Sequence, residues 1–330
     1  MNVTTLTVAT SNVMNLAAPN RVFYPNQDPY SAAQYQRKVE WLGQRLAAVN
    51  ADVVAVQEVW DESALKAAVH ASAMRYSTVI APSAEQNGQL QGSPAVGLVT
   101  RLDVLATHSL RDLPVHAQVD IPDMGLVTQF ARPPLVAKLR MKHGLVFTVI
   151  TAHLKSKRPK YLIDDQGKHL EDRDDPAVTA RATLRSLLLR ASEATGLRST
   201  IAQLLANTHE PLVLMGDFND SPHSVTTQLM AATGEVAYNR RARDTALYNV
   251  WEVQSESALK RDVSYSHIYQ GWPELLDHIL VSEEFVPTSR FSVGDVRRVD
   301  AFNDHLHEGR HRHTSDHGIV RALFRVQLPD

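Results

Sequence analysis

The sequence LVLMGDFND at residues 212–220 is the stretch that decides the fold of this chain. Its first four residues have the length and apolar character of a buried strand, and Gly216 ends that run. Asp217, Asn219 and Asp220 then place carboxylate and amide groups at the carboxyl end of the strand, where open α/β sheets bind ligands. An ordinary turn after a strand has a similar composition, so this stretch taken alone leaves a turn and a ligand site equally open.

Polar side chains also stand at or beside the ends of other predicted strands. These residues are Asn12, Glu58, His153, Asp277, and the pair Asp316 and His317. Each residue taken singly is more often a helix cap or a turn residue, so the functional interpretation depends on their convergence. Asp277 is harder to explain in that way, because it interrupts an apolar strand and a buried carboxylate needs a partner. A histidine is the natural candidate for that partner.

Apolar periodicity predicts a mixture of helices and strands, with no internal repeat and no linker that divides the chain. Helices are predicted at residues 35–49, 61–74 and 178–207, the second capped by Asp61 and the third interrupted near Gly196. Strands are predicted at residues 6–11, 53–56, 76–81, 96–100, 103–110, 135–141, 145–152, 212–215, 246–251, 264–268, 275–281 and 318–326. The strands between residues 96 and 152 are expected to form much of a second sheet, and the acidic segment 159–176 an exposed loop.

Composition excludes several classes of protein. The 330 residues carry 34 Lys and Arg against 36 Asp and Glu, a formal charge of -2, so no global field attracts nucleic acid or an anionic membrane. The absence of cysteine excludes disulfides, a thiolate nucleophile and Cys-ligated metals. The start lacks the pattern of a signal peptide, and no apolar run reaches the length of a membrane span. We therefore expect a protein that does not bind membranes and is cytoplasmic, or secreted if a signal peptide has been removed from the sequence. We also expect a monomer.

Six motifs, taken in order along the chain, resemble those of the endonuclease/exonuclease/phosphatase family, whose members include DNase I, AP endonucleases, sphingomyelinases and inositol polyphosphate phosphatases. The motifs are SNV at 11–13, QE at 57–58, TAHL at 151–154, GDFN at 216–219, LDHILVS at 276–282 and SDH at 315–317. The resemblance covers nearly the whole chain and implies one domain over residues 1–330. It also implies an α+β fold, a four-layer αββα sandwich of two mixed β-sheets packed face to face with helices outside, in agreement with the strand count.

The resemblance implies a cation site and a catalytic set. Asn12, Glu58 and Asp316 match the family's metal ligands. Carboxylate and amide oxygens with substrate phosphate oxygens are the ligands that Mg²⁺ or Mn²⁺ prefers. We therefore expect a Mg²⁺ or Mn²⁺ cofactor.

The remaining motif residues match the family's catalytic positions. Asp217 and Asn219 match the pair that orients the attacking water and the scissile phosphate. Asp277 and His317 match a carboxylate–histidine dyad, and His153 matches a residue that contacts the phosphate. Either His317 or Asp217 could serve as the general base, and the sequence leaves both open.

Two departures from the family pattern narrow the activity. AP endonucleases carry an Asp where this chain has Met14 and a Tyr where it has His153, so abasic-site repair is disfavoured and the DNase-like pattern is nearer. The histidine-rich tract at residues 305–313 is either a second, softer metal site or a solvated loop.

The resemblance implies a metal-dependent phosphodiester hydrolase, above all a nuclease that cleaves DNA or RNA by in-line attack of an activated water. Lys155, Lys157 and Arg158 could follow a phosphate backbone, although a solvated loop explains them equally well. Arg181 and Arg185, one turn apart on the long helix, are expected at the surface.

Two other functions stay open. One is hydrolysis of a small phosphoester or a lipid headgroup. An apolar membrane-docking hairpin would favour this function, and the sequence shows no such hairpin. The other is a catalytically inactive interaction module, which is weakened because every ligand position is intact.

Overall fold

The alternation of buried residues along the strands places two apolar layers on opposite faces of each sheet. The computed structural model describes residues 3–24, 27–76, 78–80, 94–164, 166–234, 236–255, 263–309 and 311–327. One sheet contains β1 (Val3–Leu16), β2 (Val53–Val59), β3 (Thr78–Ile80), β4 (Ala95–Thr100), β15 (Gly294–Phe302) and β16 (Ile319–Gln327). The other contains β5 (Asp103–Ser109), β8 (Leu135–Arg140), β9 (Val146–His153), β10 (Leu212–Asp217), β11 (Tyr248–Asn249) and β14 (Asp277–Val281).

Two small hairpins, six α-helices and three short 3-10 helices (Val115–Ala117, Glu283–Phe285 and Asp304–His307) complete the described elements. The hairpins pair β6 (Val119–Ile121) with β7 (Gly125–Val127) and β12 (His267–Tyr269) with β13 (Trp272–Glu274). The helices are α1 (Ala32–Val49), α2 (Glu62–Ala71), α3 (Pro176–Leu205), α4 (Val225–Ala231), α5 (Arg240–Arg243) and α6 (Val250–Val253). Among the described helices, none is both long enough and apolar enough to cross a membrane.

Both sheets are mixed, with strand orders β15-β16-β1-β2-β4-β3 and β11-β14-β10-β9-β8-β5. Successive residues on a strand face opposite layers. Val53 and Val213 therefore pack in the core between the two sheets, while Val54 packs under α1 and α2 and Leu214 packs under α3. The layers are helix, sheet, sheet and helix, which confirms the fold expected from the sequence.

The central strand β10 is buried along its whole length, as the apolar run predicts. It runs parallel to β9 and antiparallel to β14. Gly216 is required where β10 meets β9, because a Cβ at this position would lie 1.9 Å from the carbonyl oxygen of Ala152. The carboxyl end of β10 therefore lies directly beside the end of β9.

Several local expectations are wrong. The strand at 96–100 belongs to the first sheet and not to the second, because it pairs with β2. Helix α3 continues through Gly196, where the missing side chain leaves room for Leu113 and Phe130. Asp61 stands at the start of α2 but its carboxylate accepts from Ala18 and binds Arg21 rather than capping the helix.

The segment at 246–251 forms only a two-residue strand followed by a short helix. The strand predicted at 264–268 overlaps β12 only at His267 and Ile268, and β6, β7, β13 and β15 were not predicted.

Candidate active site

The side chain of Asp217 lies at the centre of the site. Asp217 ends β10, and the register of the sheet places His153 of β9 directly beside it on one side and Asp277 of β14 on the other. His153 Nε2 lies 3.5 Å from Asp217 Oδ2, and both side chains are buried. Three of the residues predicted at strand ends are therefore neighbours across one sheet edge.

The first sheet contributes Asn12 and Glu58 to the same place. Asn12 Nδ2 donates to Glu58 Oε1 at 3.2 Å and to Asp217 Oδ2 at 3.0 Å, which joins the two sheets. The pairing of β1 with β2 shifts register between Asn12 and Leu16, and Glu58 has a φ of 64°. Such an irregularity bends a strand and redirects a side chain, here bringing the Glu58 carboxylate against Asn12.

The predicted dyad is formed. His317 Nδ1 lies 2.7 Å from Asp277 Oδ2, and His317 Nε2 lies 3.9 Å from Asp217 Oδ2. Ser315 fixes the loop that carries His317, since its hydroxyl donates to the Asn12 carbonyl at 2.6 Å and accepts from the His317 amide at 3.0 Å. The histidine therefore lies between two carboxylates from adjacent strands.

Burial and like charges perturb the titration of this site. Burial raises the pKa of Glu58, and the Asp316 carboxylate raises it further. Burial also raises the pKa of Asp217, with a further contribution from Asp277. Burial alone would lower the pKa of His317, but the charges of Asp277 and Asp217 and the hydrogen bond to Asp277 outweigh it, so this pKa lies well above the usual value. The result is a stabilised imidazolium beside carboxylates that resist ionisation.

The donor set is suited to a hard divalent cation. Burial is the main cause of the raised pKa of Glu58, and the charge of Asp316 adds to it. A cation bound by the Glu58 carboxylate would favour its ionised form. In the structure the Asn12 amide nitrogen faces the Glu58 and Asp217 carboxylates, while Asn12 Oδ1 accepts from the Met14 amide at 3.0 Å. Asn12 can therefore supply an oxygen ligand only after its amide group rotates.

A second group of potential ligands overlaps the dyad. Asp217, Asp277 and His317 place donor atoms within 4.8 Å of one another. Because His317 Nδ1 is already bonded to Asp277, we interpret this group as a hydrogen-bonded cluster rather than as the cation site. Asp277 Oδ1 is buried without a hydrogen-bond partner among the described atoms, so the cluster retains an acceptor that nothing in the described protein satisfies.

His153 is held by an arginine that the sequence analysis missed. One terminal nitrogen of Arg132 lies 2.8 Å from His153 Nε2, and the other donates to the Leu154 carbonyl at 3.1 Å. Burial, with the charge of Arg132, moves the pKa of His153 well below its usual value, so the ring is neutral. The Asn219 side chain donates to the same Leu154 carbonyl at 3.0 Å, and the Asn219 backbone amide donates to Asp217 Oδ1 at 2.8 Å. Arg132 lies in the segment before strand β8 and belongs to no recognisable motif, so the sequence offers no reason to select it.

The basic segment at residues 155–160 is not a free solvated loop. The α3 residue Glu193 accepts from the amides of Ala131 and Lys155, and Arg190 donates to the Lys155 carbonyl. Burial lowers the pKa of Lys155 to about 8, and Arg132 adds to the effect. Glu193 therefore holds the chain segments of Arg132 and Lys155 in place, and cationic groups crowd together beside His153.

The three predicted substrate-binding cations differ from one another. Lys157 Nζ lies 3.3 Å from Glu274 Oε1 and 3.9 Å from Asp220 Oδ1, so its charge is largely neutralised. Lys155 Nζ donates to the carbonyls of Ser156 and Arg158. The Arg158 side chain is exposed.

Lys38 and His267 also face the site and were not predicted. Lys38 is buried on α1 and donates to the Thr314 carbonyl at 3.5 Å, two residues before Asp316. Its position four residues before Leu42, on the apolar face of α1, was a signal that could have identified it. The His267 ring lies 5.0 Å from the His317 ring, and the two backbones form an isolated bridge.

The histidine-rich tract does not form the second metal site among the described residues. His305 Nε2 bonds to the His317 carbonyl at 3.0 Å, His307 Nε2 bonds to the Tyr265 hydroxyl, and His311 stacks on His313. His305 thus supports the loop that carries the dyad histidine.

Comparison with known proteins identifies the family. The model of the Endonuclease/Exonuclease/phosphatase family matches residues 10–317. No curated protein sequence matches the chain.

Solved structures share the fold at low sequence identity. A mannosyl-6-phosphatase from Bacteroides thetaiotaomicron is 16% identical with a TM-score of 0.58, over 97% of this chain and 99% of that one. The human Nocturnin catalytic domain with bound sulfate is 15% identical with a TM-score of 0.58, over 97% and 94%. TDP2 from D. rerio in complex with a single-stranded DNA product is 14% identical with a TM-score of 0.55, over 97% and 98%.

The six ordered motifs, the two packed sheets and the family match over nearly the whole length agree. The chain therefore belongs to the endonuclease/exonuclease/phosphatase family of phosphoester hydrolases.

Proposed function

We propose that this protein is a divalent-cation-dependent phosphodiester hydrolase that cleaves nucleic acid strands. The observation that carries the proposal is the position of Asp217, which lies between Asn12, His153 and the His317 of the dyad, beside a crowded group of cations. A phosphate group bound there would meet histidine and arginine on one side and carboxylates on the other. That arrangement supports in-line displacement at phosphorus.

The cation would be held by Glu58 and Asp316, with Asn12 as a further ligand after its amide rotates. When bound, it supplies charge neutralisation for the phosphate oxygens and makes a bound water more acidic. These residues fit the cation because burial, with the charge of Asp316, disfavours the ionised form of Glu58, and a bound cation would favour it.

We assign the base role to Asp217 and the phosphate contact to His317. The raised pKa of Asp217 makes its carboxylate a stronger base, and the raised pKa of His317 keeps the imidazolium available to donate to a phosphate oxygen or to the leaving group. Asp277 fixes the ring orientation through Nδ1, which leaves Nε2 directed toward Asp217. The backbone amide of Asn219 donates to Asp217 Oδ1 and keeps that carboxylate in position.

Arg132 extends the phosphate site beyond the residues that the sequence indicated. Its guanidinium lies against His153, which is neutral and can therefore accept one of its N–H groups. The remaining N–H donors and the nearby Lys155 ammonium attract an anion. We propose that this pair contacts the non-bridging oxygens of the scissile or the adjacent phosphate.

The substrate assignment is tested by the salt dependence of cleavage. The logarithm of affinity for a nucleic acid falls linearly with the logarithm of the salt concentration. Each phosphate contact contributes about −0.7 to this slope for single strands. Neutralising Arg158 with Arg158→Gln should flatten the slope for oligonucleotide cleavage by roughly this amount and leave a small phosphodiester unaffected. Lys157→Gln is the matched control, because Lys157 is already paired with Glu274. The salt slope should change less in this variant than in Arg158→Gln.

The same assay includes the alternative. Single-stranded DNA, RNA, a small phosphodiester and a sugar phosphomonoester are compared at saturating Mg²⁺ or Mn²⁺. Cleavage of the monoester alone would overturn the nuclease assignment and favour a small-molecule phosphatase. An unchanged salt slope in Arg158→Gln would remove that residue from the substrate-binding surface.

A further inference from the structure

The hairpin of β12 and β13 exposes two large aromatic side chains. Tyr269 is 55% exposed and Trp272 is 76% exposed. They stand directly opposite each other across the hairpin, on either side of the two-residue turn Gln270-Gly271. Both turn residues have positive φ, 49° and 86°, as a tight hairpin turn of this length requires. The pair therefore forms one apolar patch at the tip, which no described part of the protein covers.

The base of this hairpin is bonded to the catalytic loops. The Ser266 hydroxyl accepts from the amides of Leu276 and Asp277 at 3.0 Å each, and the Ser266 carbonyl accepts from the Gly318 amide at 2.7 Å. An isolated two-stranded hairpin is marginally stable in water. These bonds explain how it persists, and they fix it beside both members of the dyad.

The aromatic pair lies on the same face of the hairpin as the residues that contact the active site. Alternate residues on a strand share a face, so Tyr269 shares one with His267, and Trp272 shares one with Glu274. The His267 ring lies 5.0 Å from the His317 ring, and Glu274 Oε1 lies 3.3 Å from Lys157 Nζ.

The opposite face of the hairpin lies against the loop that carries Asp316. Ile268, between His267 and Tyr269, lines a cavity of about 50 Å³ together with Met14, His305 and Asp316. Tyr269 and Trp272 each lie two residues nearer the tip of their strand than His267 and Glu274, a distance of roughly 7 Å.

We propose that Tyr269 and Trp272 form a stacking platform for a nucleobase next to the scissile phosphate of a single-stranded nucleic acid. A step of roughly 7 Å is comparable to the reach from a phosphate to its own base. The cations Arg132, Lys155 and Arg158 attract the backbone, and the rings bind the flat face of a base. A duplex stacks its bases on one another and leaves no face free, so the platform selects single strands.

The platform rests on the proposed nuclease function but is tested separately from catalysis. Binding of a labelled oligothymidylate is measured by fluorescence anisotropy in the presence of chelator, so that no cleavage is needed. The variants are Tyr269→Ala, Trp272→Ala and the double variant. The control is Tyr238→Ala, which removes a tyrosine that is 93% exposed and lies outside the hairpin.

The double variant should bind the oligothymidylate about tenfold or more weakly than the wild type, and the control should bind as the wild type does. Neither variant should change binding of a base-free abasic phosphodiester chain of the same length, because only the bases contact the rings. Cleavage of a small phosphodiester should also persist in the double variant, which excludes a collapse of the active site.

Three results would overturn the platform. The first is unchanged oligothymidylate affinity in the double variant, and the second is an equal loss for the base-free chain, which would mean a general structural role. The third is binding of the wild type to phosphatidylcholine–phosphatidylserine vesicles that the double variant loses while oligothymidylate affinity is retained, which would assign the tip to a membrane. Absence of cleavage with retained, ring-dependent oligothymidylate binding would reject the nuclease activity and leave the platform intact.

Discussion

Two clusters of charged side chains in this protein are built in opposite ways. In one, the fully buried Arg185 donates to both Glu171 oxygens, to Asp123 and to the carbonyls of Pro122 and Lys160. In the other, Asp277 Oδ1 is buried without a hydrogen-bond partner among the described atoms, and burial with the charge of Asp316 raises the pKa of Glu58.

The first cluster pairs its charges fully, whereas the second keeps one Asp277 oxygen without a hydrogen-bond partner among the described atoms. Hydrogen bonds to Arg185 hold the pKa of Glu171 at about 2, whereas burial raises the pKa of Glu58 and Asp217. A paired cluster stabilises the position of a loop, and here it holds Lys160 and Glu171 of the loop against α3. An unsatisfied cluster is the arrangement expected where a cation and a substrate complete the set of charges.

Asp277→Asn should produce the largest change of rate within the unsatisfied cluster. The substitution removes the charge at nearly constant shape, and loss of a positioned acid or base costs on the order of a hundredfold in rate. Because the Asp277 charge raises the pKa of His317, its removal lowers that pKa. The alkaline limb of the pH–rate profile, where the imidazolium is lost, should therefore move to lower pH.

The control for this variant is Asp295→Asn, which removes another buried carboxylate, on the edge strand β15, that pairs with Arg325 of β16. It should keep the wild-type rate and pH profile. A folded Asp277→Asn with an unshifted profile would remove the dyad from the mechanism and leave Asp277 as a structural charge.

Arg185→Gln should have the opposite signature, a loss of stability with a smaller effect on chemistry. Removing one partner of a buried ion pair leaves the other charge without compensation, which is strongly destabilising. We expect the melting temperature to fall by several degrees, measured by calorimetry, with cleavage of a small phosphodiester near the wild-type rate at low temperature.

Arg181→Gln is the matched control for Arg185→Gln. Arg181 stands one turn earlier on α3 and approaches the same Glu171 and Asp123, but its side chain is 51% exposed. An exposed pair contributes about 0–1 kcal/mol, so this variant should melt close to the wild type. Equal losses in the two variants would contradict the distinction between buried and exposed partners.

Glu171→Gln gives the smallest and most specific effect, confined to acid pH. The folded pKa of Glu171 is about 2 against an ordinary value of 4.5, so its stabilising contribution is complete above the ordinary value and is lost as pH falls through the folded value. The difference in unfolding free energy between wild type and Glu171→Gln, measured by denaturant titration, should shrink between these two pH values. A difference that stays constant over this range would mean that the Glu171 charge is not involved.

Much of the fold could be predicted, because its central strands are apolar runs that stop at polar residues. Strand β10 ends at Asp217, and the motif residues lie at strand ends that the fold brings to one edge. Arg132 could not be predicted, since its contact with His153 depends on how a loop before β8 folds back over β9. His267 lies in the strand predicted at 264–268, but a strand pattern gives no signal that its ring lies beside His317.

Arg185 was expected at the surface and is buried, and the reason is physical. An amphipathic pattern assigns charged residues to solvent unless a partner compensates for their burial. The compensating carboxylate, Glu171, lies 14 residues earlier in a segment whose composition indicates an exposed loop. Sequence pattern does not show which of several acidic residues turns inward.

The most direct test of the central claim is cation dependence at Glu58. Wild-type protein is stripped with chelator, Mg²⁺ or Mn²⁺ is titrated back, and hydrolysis of a small phosphodiester is followed together with cation binding by calorimetry. We predict that stripped wild type is inactive, that the cation restores its rate, and that folded Glu58→Gln binds the cation much more weakly and stays inactive at the restoring concentration. Full activity in chelator, or a Glu58→Gln variant with the wild-type rate and cation affinity, would contradict the account.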